Sequence, residues 1–237
     1  MAVLQRDLPN HSYLRRMRGS IMIERDRILI RHECAADYRT VEELTREAFW
    51  NVHVPGCSEH LLVHRLRGHE DFIPELDFVA VVGHELVGNI MYSRARVTCA
   101  DGGEHPVLTF GPVSILPKHQ KQGIGSALVD HSMRAARAMG YGAILIYRDP
   151  GYYHRFGFRP AEAFSITNAE GRFHPALQAL GLEAGTLAGI RGGSCESPVY
   201  GLDAEEVAAF DASFPPKEKL VTESQRTCAA CRASRTG

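Results

Sequence analysis

Apolar positions along the chain switch between two rhythms, one suited to strands and one to helices. The stretch DRILIRH (26–32) reads as a first strand. In DYRTVEELTREAFW, residues Val41, Leu44, Ala48 and Phe49 recur at helical spacing, and Thr40 with Glu43 supplies a capping box. A polar loop over 51–58 precedes a second helix in EHLLVHRLRG, which Gly68 stops. LDFVAVVGHELVGNIMYSRARVTC predicts a hairpin, with strands at 78–82 and 86–97 and a turn at Gly83-His84. HPVLTFGPVSIL is a further strand, interrupted at Gly111-Pro112, because proline cannot donate to a ladder and glycine marks a bulge. A helix over 123–139 puts Ile124, Leu128, Ala135 and Met139 on its buried face and ends at Gly140. AILIY (143–147) is a short buried strand.

The strand–helix–strand unit over 107–147 predicts an α/β (α+β mixed) architecture. Past Pro160 the rhythm weakens, apart from one short helix, DAEEVAAF, capped by Asp203 with Glu206. At 237 residues the chain can bury a sizeable core as one large domain with an appendage. Residues 1–21 carry Arg6, Arg15, Arg16 and Arg18 against Asp7 and lack the apolar segment of a secretory signal. They read as a flexible leader. Residues 22–165 form the main domain, 166–218 a small extension packed on it, and 219–237 a polar, mobile tail.

Composition narrows the function classes. Apolar content of 44% and charged content of 23% are ordinary for a soluble globular chain. A formal net charge of -1 gives no global field for nucleic acid or an anionic membrane. No apolar run nears the ~20 residues that cross a bilayer. Six cysteines (Cys34, Cys57, Cys99, Cys195, Cys228, Cys231) show no disulfide-framework spacing and read as reduced thiols. The expectation is a cytoplasmic protein without nucleic-acid or membrane partners.

Candidate chemistry concentrates in LPKHQKQGIGSALVD (116–130), where strand gives way to helix. The first turn of a helix has unpaired N–H groups and a partial positive charge, which suit phosphate. Gly123 and Gly125 allow an anion close to the backbone, Lys121 adds charge, and Gln122 and Ser126 add neutral donors. A Walker loop, G-x-x-x-x-G-K-[ST], is missing, and a dinucleotide fingerprint would need glycine where Leu128 stands. The pyrophosphate of coenzyme A fits best, and a glycine-opened helix with no ligand is the plain alternative.

With these pieces the sequence resembles the GNAT superfamily of N-acetyltransferases. The signature [RQ]-x-x-G-x-[GA] is matched by Gln120-Lys121-Gln122-Gly123-Ile124-Gly125. GPVSILP precedes it, and DPGYYHRFGF (149–158) follows with a tyrosine four residues before the glycine of a G-F pair. The resemblance spans roughly 28–160. It implies a twisted mixed sheet whose central strands splay, with helices on its flanks and acetyl-CoA in the opening. Carried over by position, the strand residues Val113, Ser114 and Ile115 meet the pantetheine arm. Gln120, Lys121, Gln122, Gly123, Ile124, Gly125 and Ser126 meet the pyrophosphate. The implied reaction is direct acetyl transfer to a primary amine of a small molecule or peptide, with no metal, by a monomer or homodimer. A non-catalytic acyl-CoA-binding or regulatory module on the same fold is the alternative, and a nicotinamide-nucleotide binder a more distant one.

Such transfer needs a neutral amine, a held oxyanion and a proton for the departing thiolate. Tyr153 occupies the family's general-acid position, since a phenol of pKa ~10 stays protonated at neutral pH. Tyr152 is its backup, and an aromatic plug of Tyr152, Tyr153, Phe156 and Phe158 is the packing alternative. Glu59, Asp77 and His84 are polar candidates for a base, and none is assigned. Glu43, Glu47, Glu59 and Glu75 could favour a cationic acceptor, or could simply be exposed helix charges. His60 and His64, with His53 and Cys57 nearby, lack an H-E-x-x-H pattern and read as non-metal residues. Cys228-x-x-Cys231 has no second pair, and Arg134 with Arg137 reads as a solvated helix face.

Overall fold

The computed structural model describes residues 28–222, the backbone of 16–17 and 20–21, and Gln225. Most of the leader and the Cys228–Cys231 pair lie outside the described residues. A separate two-stranded ladder pairs Arg16–Met17 with Ser20–Ile21; from residue 28 on, the strands are β1 (Ile28–His32), β2 (Phe78–Val82), β3 (Glu85–Thr98), β4 (Glu104–Ile115), β5 (Ala143–Tyr147), β6 (Arg159–Pro160), β7 (Ile166–Thr167), β8 (Leu177–Gly181) and β9 (Gly192–Cys195). The helices are α1 (Tyr38–Phe49), α2 (Glu59–Leu66), α3 (Ile124–Ala138), α4 (Pro150–Tyr153) and α5 (Ala204–Asp211). The strands form one mixed sheet in the order β1-β2-β3-β4-β5-β8-β6, while β9 pairs with the far half of β3 and with β7.

Two faces of this sheet are covered differently. Side chains alternate across a strand, so Leu108 and Phe110 of β4, with Ile144 and Ile146 of β5, join Ile124, Leu128 and Val129 of α3 in one core. The other face packs Val79 and Met91 under Val41 of α1 and Leu62, Val63 and Leu66 of α2. A third cluster, with Val107, Leu145, Ile166, Leu177 and Ala179, closes the far end.

Helix registers depart from the sequence reading at two places. Met139, expected on the buried face of α3, is 44% exposed, because Ser132 and Ala136 take the positions against the sheet. Thr40 and Glu43 lie inside α1 and do not cap it. The capping box sits earlier, with Cys34 and Asp37 at the start of a 3-10 turn (Ala35–Asp37) that leads into the helix.

The central feature is the divergence of β4 from β5. Ile90 of β3 faces Val113 and Tyr92 faces Phe110, so two residues of β3 match three of β4 and one β4 residue is extra. That bulge falls at Gly111-Pro112, as the sequence predicts, and a bulge bends and twists its strand. The parallel β4–β5 ladder registers only at Leu108 and Ile144. Beyond it β5 keeps pairing with β8 on its other edge, and the end of β4 stays with β3. The outer edge of 111–115 therefore opens beside β5.

Candidate active site

A cavity of 630 Å3 fills this opening, lined by Val113 and Ile115 of β4, Gly123, Gly125 and Ser126 at the head of α3, and Tyr152 and Tyr153 of α4. His119, Gln120, Lys121 and Arg155 contribute the polar rim, and Ala48, Phe49 and Val52 form the opposite wall. Of the residues expected at a cofactor, three side chains turn elsewhere. Ser114 is buried and shares a 2.9 Å hydrogen bond with Thr45 of α1, Ile124 is in the core, and Gln122 donates to the Lys118 carbonyl. Alternation along the strand explains Ser114: its neighbours Val113 and Ile115 line the cavity.

The glycine loop turns tightly before α3. Lys121 and Gly123 both adopt positive φ, +60° and +90°, before the chain enters α3. The amide of Ala127 bonds to the Gly123 carbonyl at 3.0 Å, which leaves the preceding amides in the unpaired first turn. A Cβ added at Gly125 would sit 3.5 Å from the Tyr152 hydroxyl and 3.7 Å from Ile115, ordinary contacts that would occupy the cavity wall without a clash.

Asp149 starts α4 by accepting from the Gly151 amide at 2.9 Å, with Pro150 in the first helical position. The turn sets Tyr152 and Tyr153 edge to face at 4.9 Å and seats Tyr153 against Phe110 and Phe158 at 5.8 and 5.9 Å. Packing and cavity lining thus coexist in Tyr153, which is 7% exposed. Burial pushes its phenol above the ordinary value, and the Arg148 guanidinium opposes that rise. It stays protonated at neutral pH. Arg155 stacks over Tyr152 at 4.4 Å and donates to its carbonyl at 2.9 Å, which fixes a cation at the rim. Sequence reasoning misses both Arg155 and the α1 wall. Arg155 lies inside the YYHRFGF segment, where a signal was available, whereas the wall residues are distant in the chain.

The candidate bases fall away by position, since none of them lines this cavity. Asp77 is buried and accepts from Asn89 at 3.0 Å, near a cluster in which Arg67 bridges Glu33 and Glu42. Glu59 accepts from the Ser58 amide, and His84 is exposed in the β2–β3 turn. Glu43 and Glu47 pair with Arg39 and Lys217. Cys57 Sγ lies 3.4 Å from His60 Nδ1, and His60 Nε2 lies 3.3 Å from Asp211. This resembles a nucleophile–base pair, but burial pushes Cys57 up to about 12 and His60 down to about 4, so both are neutral. Among the described residues no group of three or more His, Cys, Asp or Glu could hold a metal ion, and no helix is long and apolar enough to cross a membrane.

The sheet thus opens between two parallel strands with the amino end of α3 at the mouth of the gap. Residues 75–160 match the family model for the acetyltransferase (GNAT) domain. The uncharacterized N-acetyltransferase YhbS of Escherichia coli K12 is 30% identical over 135 residues, which cover 56% of this chain and 75% of that protein. A second Escherichia coli K12 protein, the uncharacterized N-acetyltransferase YjhQ, is 29% identical over 127 residues, 53% of this chain and 66% of its own. The crystal structure of YhbS in complex with CoA superposes with a TM-score of 0.66 at 25% identity, covering 74% of this chain and 93% of YhbS. A GNAT acetyltransferase from Brucella melitensis in complex with acetyl-CoA gives a TM-score of 0.59 at 25% identity, with 73% and 97% covered. The chain belongs to the GNAT family of N-acetyltransferases.

Proposed function

We propose that this chain transfers the acetyl group of acetyl-CoA directly to a primary amine. The observation that carries the reading is the single cavity in which the opened edge of β4, the first turn of α3 and Tyr153 meet. Its residues suit the donor. The backbone of Val113 and Ile115 borders the gap where a pantetheine arm would pair. The amides of Gln122, Gly123, Ile124, Gly125 and Ser126 begin α3, with Lys121 and Arg155 adding positive charge for phosphates. Ser114 braces the strand against α1 through Thr45.

In this mechanism the Val113 backbone would hold the oxyanion that develops as the amine attacks. Tyr153 gives its phenolic proton to the departing thiolate as the carbon–sulfur bond breaks. The main domain carries this chemistry, and the strands after Pro160 close the far end of the same sheet. The test has two arms. Calorimetry should detect acetyl-CoA binding, and thiol release from acetyl-CoA should rise with a primary amine in a panel of polyamines, amino acids and short peptides. Acetyl-CoA binding without turnover across the panel would overturn the enzyme reading, and absence of binding would overturn the donor assignment.

A further inference from the structure

On the sheet face opposite α3, a polar seam separates the core under α1 and α2 from the core at the far end. Ser93 of β3 pairs in register with Thr109 of β4, and both are buried. The hydroxyl of Tyr200 shares a 3.1 Å hydrogen bond with Ser93. Glu196 enters this seam from the C-terminal part of the chain. β9 runs antiparallel to β3 with Cys195 opposite Arg96, so the next residue, Glu196, leaves the ladder beside Ala95 and near Ser93 and Thr109.

Arg148 connects this seam to the donor cavity. It follows the last residue of β5 and donates to the Tyr147 carbonyl at 2.8 Å. Its guanidinium occupies the space where a Cβ on Gly111 would lie, at the point where β4 and β5 part. There its charge acts on Tyr153 on one side and, without forming an ion pair, on Glu196 on the other. A second cavity of 360 Å3 opens at Glu196, lined also by Tyr147, Asn168, Ala169, Glu170 and Ser194. Its lining carries two carboxylates and no basic side chain.

We propose that Glu196 accepts the proton of the incoming amine, and that an amine still protonated at neutral pH enters through this second cavity toward Arg148 and the donor. The assignment rests on the acetyl-transfer reading above. Glu196 is exposed at the mouth, and partial burial of its carboxyl pushes it up, opposed by Arg148 and a hydrogen bond from Thr109. The other titratable groups facing it are Tyr147, which also feels Glu170 and Cys195, and Tyr200. A raised carboxylate is a better general base near neutral pH.

The protons balance. Glu196 takes one from the ammonium group, and the freed nitrogen forms the carbon–nitrogen bond as the carbon–sulfur bond breaks. Tyr153 protonates the sulfur and is restored, through solvent, by the second nitrogen proton. Glu196 then releases its proton to water.

The experiment compares wild type and Glu196→Gln with acetyl-CoA and two acceptors: n-butylamine, which is protonated at neutral pH, and methoxyamine, which is not. Glu196→Gln should lose on the order of 10²-fold in n-butylamine turnover at neutral pH, recover as pH rises, and keep methoxyamine turnover. Glu196→Asp should retain part of the n-butylamine rate. An unchanged pH profile, or equal loss with both amines at full acetyl-CoA affinity, overturns the assignment while the parent reading stands. Wild type that binds acetyl-CoA but acetylates neither amine overturns it too. Failure to bind acetyl-CoA overturns the parent reading, and this one with it.

Discussion

Tyr153 combines two demands that single substitutions can separate. Its ring packs between Phe110 and Phe158, and the residue also lines the cavity beside β4. Tyr153→Phe keeps the ring and removes the proton, so kcat should fall on the order of 10²-fold with little change in KM for acetyl-CoA. Steady-state kinetics with the best amine of the panel measures this, and an unchanged kcat removes the acid role. Gly125 tests the other end of the cavity. A methyl group there meets only ordinary contacts within the protein and takes up space against the wall, so Gly125→Ala should leave the thermal midpoint near wild type and weaken acetyl-CoA binding in calorimetry. Gly123 is a poorer probe, because its φ of +90° makes any substitution strained regardless of ligand.

The strand that lines the cavity is held by elements distant in sequence. β4 is tied to α1 by the buried Thr45–Ser114 hydrogen bond, and α1 also provides the wall of Ala48 and Phe49. Removing one partner strands a buried hydroxyl, so Thr45→Val should cost about 1–3 kcal/mol, and Thr45→Val with Ser114→Ala should cost less than the sum of the singles. Urea unfolding of the four proteins gives the cycle, and strict additivity would mean the two hydroxyls are uncoupled. Strand-level features that depend on local chemistry are legible in the sequence, among them the β2–β3 hairpin and the break at Gly111-Pro112. The strand β8 is not. LQALG is short and has none of the β-branched enrichment that marks a strand, and it becomes one because β5 offers it a full antiparallel edge.

Across the molecule, two buried titrations act on stability with opposite sign. Asp77 is held protonated by burial and by its hydrogen bond with Glu33, so its folded pKa lies above the unfolded value of ~3.9. That contribution is complete below the unfolded value and drains away as pH rises toward the folded one. His60 works in the opposite direction. Its folded value of about 4 lies below the usual ~6.5, so its contribution is complete above ~6.5 and is lost as pH falls toward about 4. Between about 4 and ~6.5 the two contributions oppose each other, so the urea midpoint should change little there and decline above ~6.5, and Asp77→Asn should flatten that alkaline decline while uncovering a loss below ~6.5. An alkaline slope unchanged by Asp77→Asn would sink this account. The C-terminal segment also bears on the site: Trp50 and Asn51 donate to the Glu218 carbonyl, and Arg46 pairs with Asp211 at 2.7 Å. These contacts fix the loop after α1 that carries Val52.

Local covalent chemistry wrote the loop before α3 and the break in β4 into contiguous stretches. Glycines that permit positive φ, a helix start with unpaired amides, and a proline that breaks a ladder act within a few residues of themselves, so the order of letters was enough to read them. Convergence of side chains from separate strands follows no local rule. Glu196 reaches the seam because β9 runs along β3, and Arg148 reaches it because glycine at 111 leaves room for its guanidinium, so both positions were decided by packing between segments far apart in the chain.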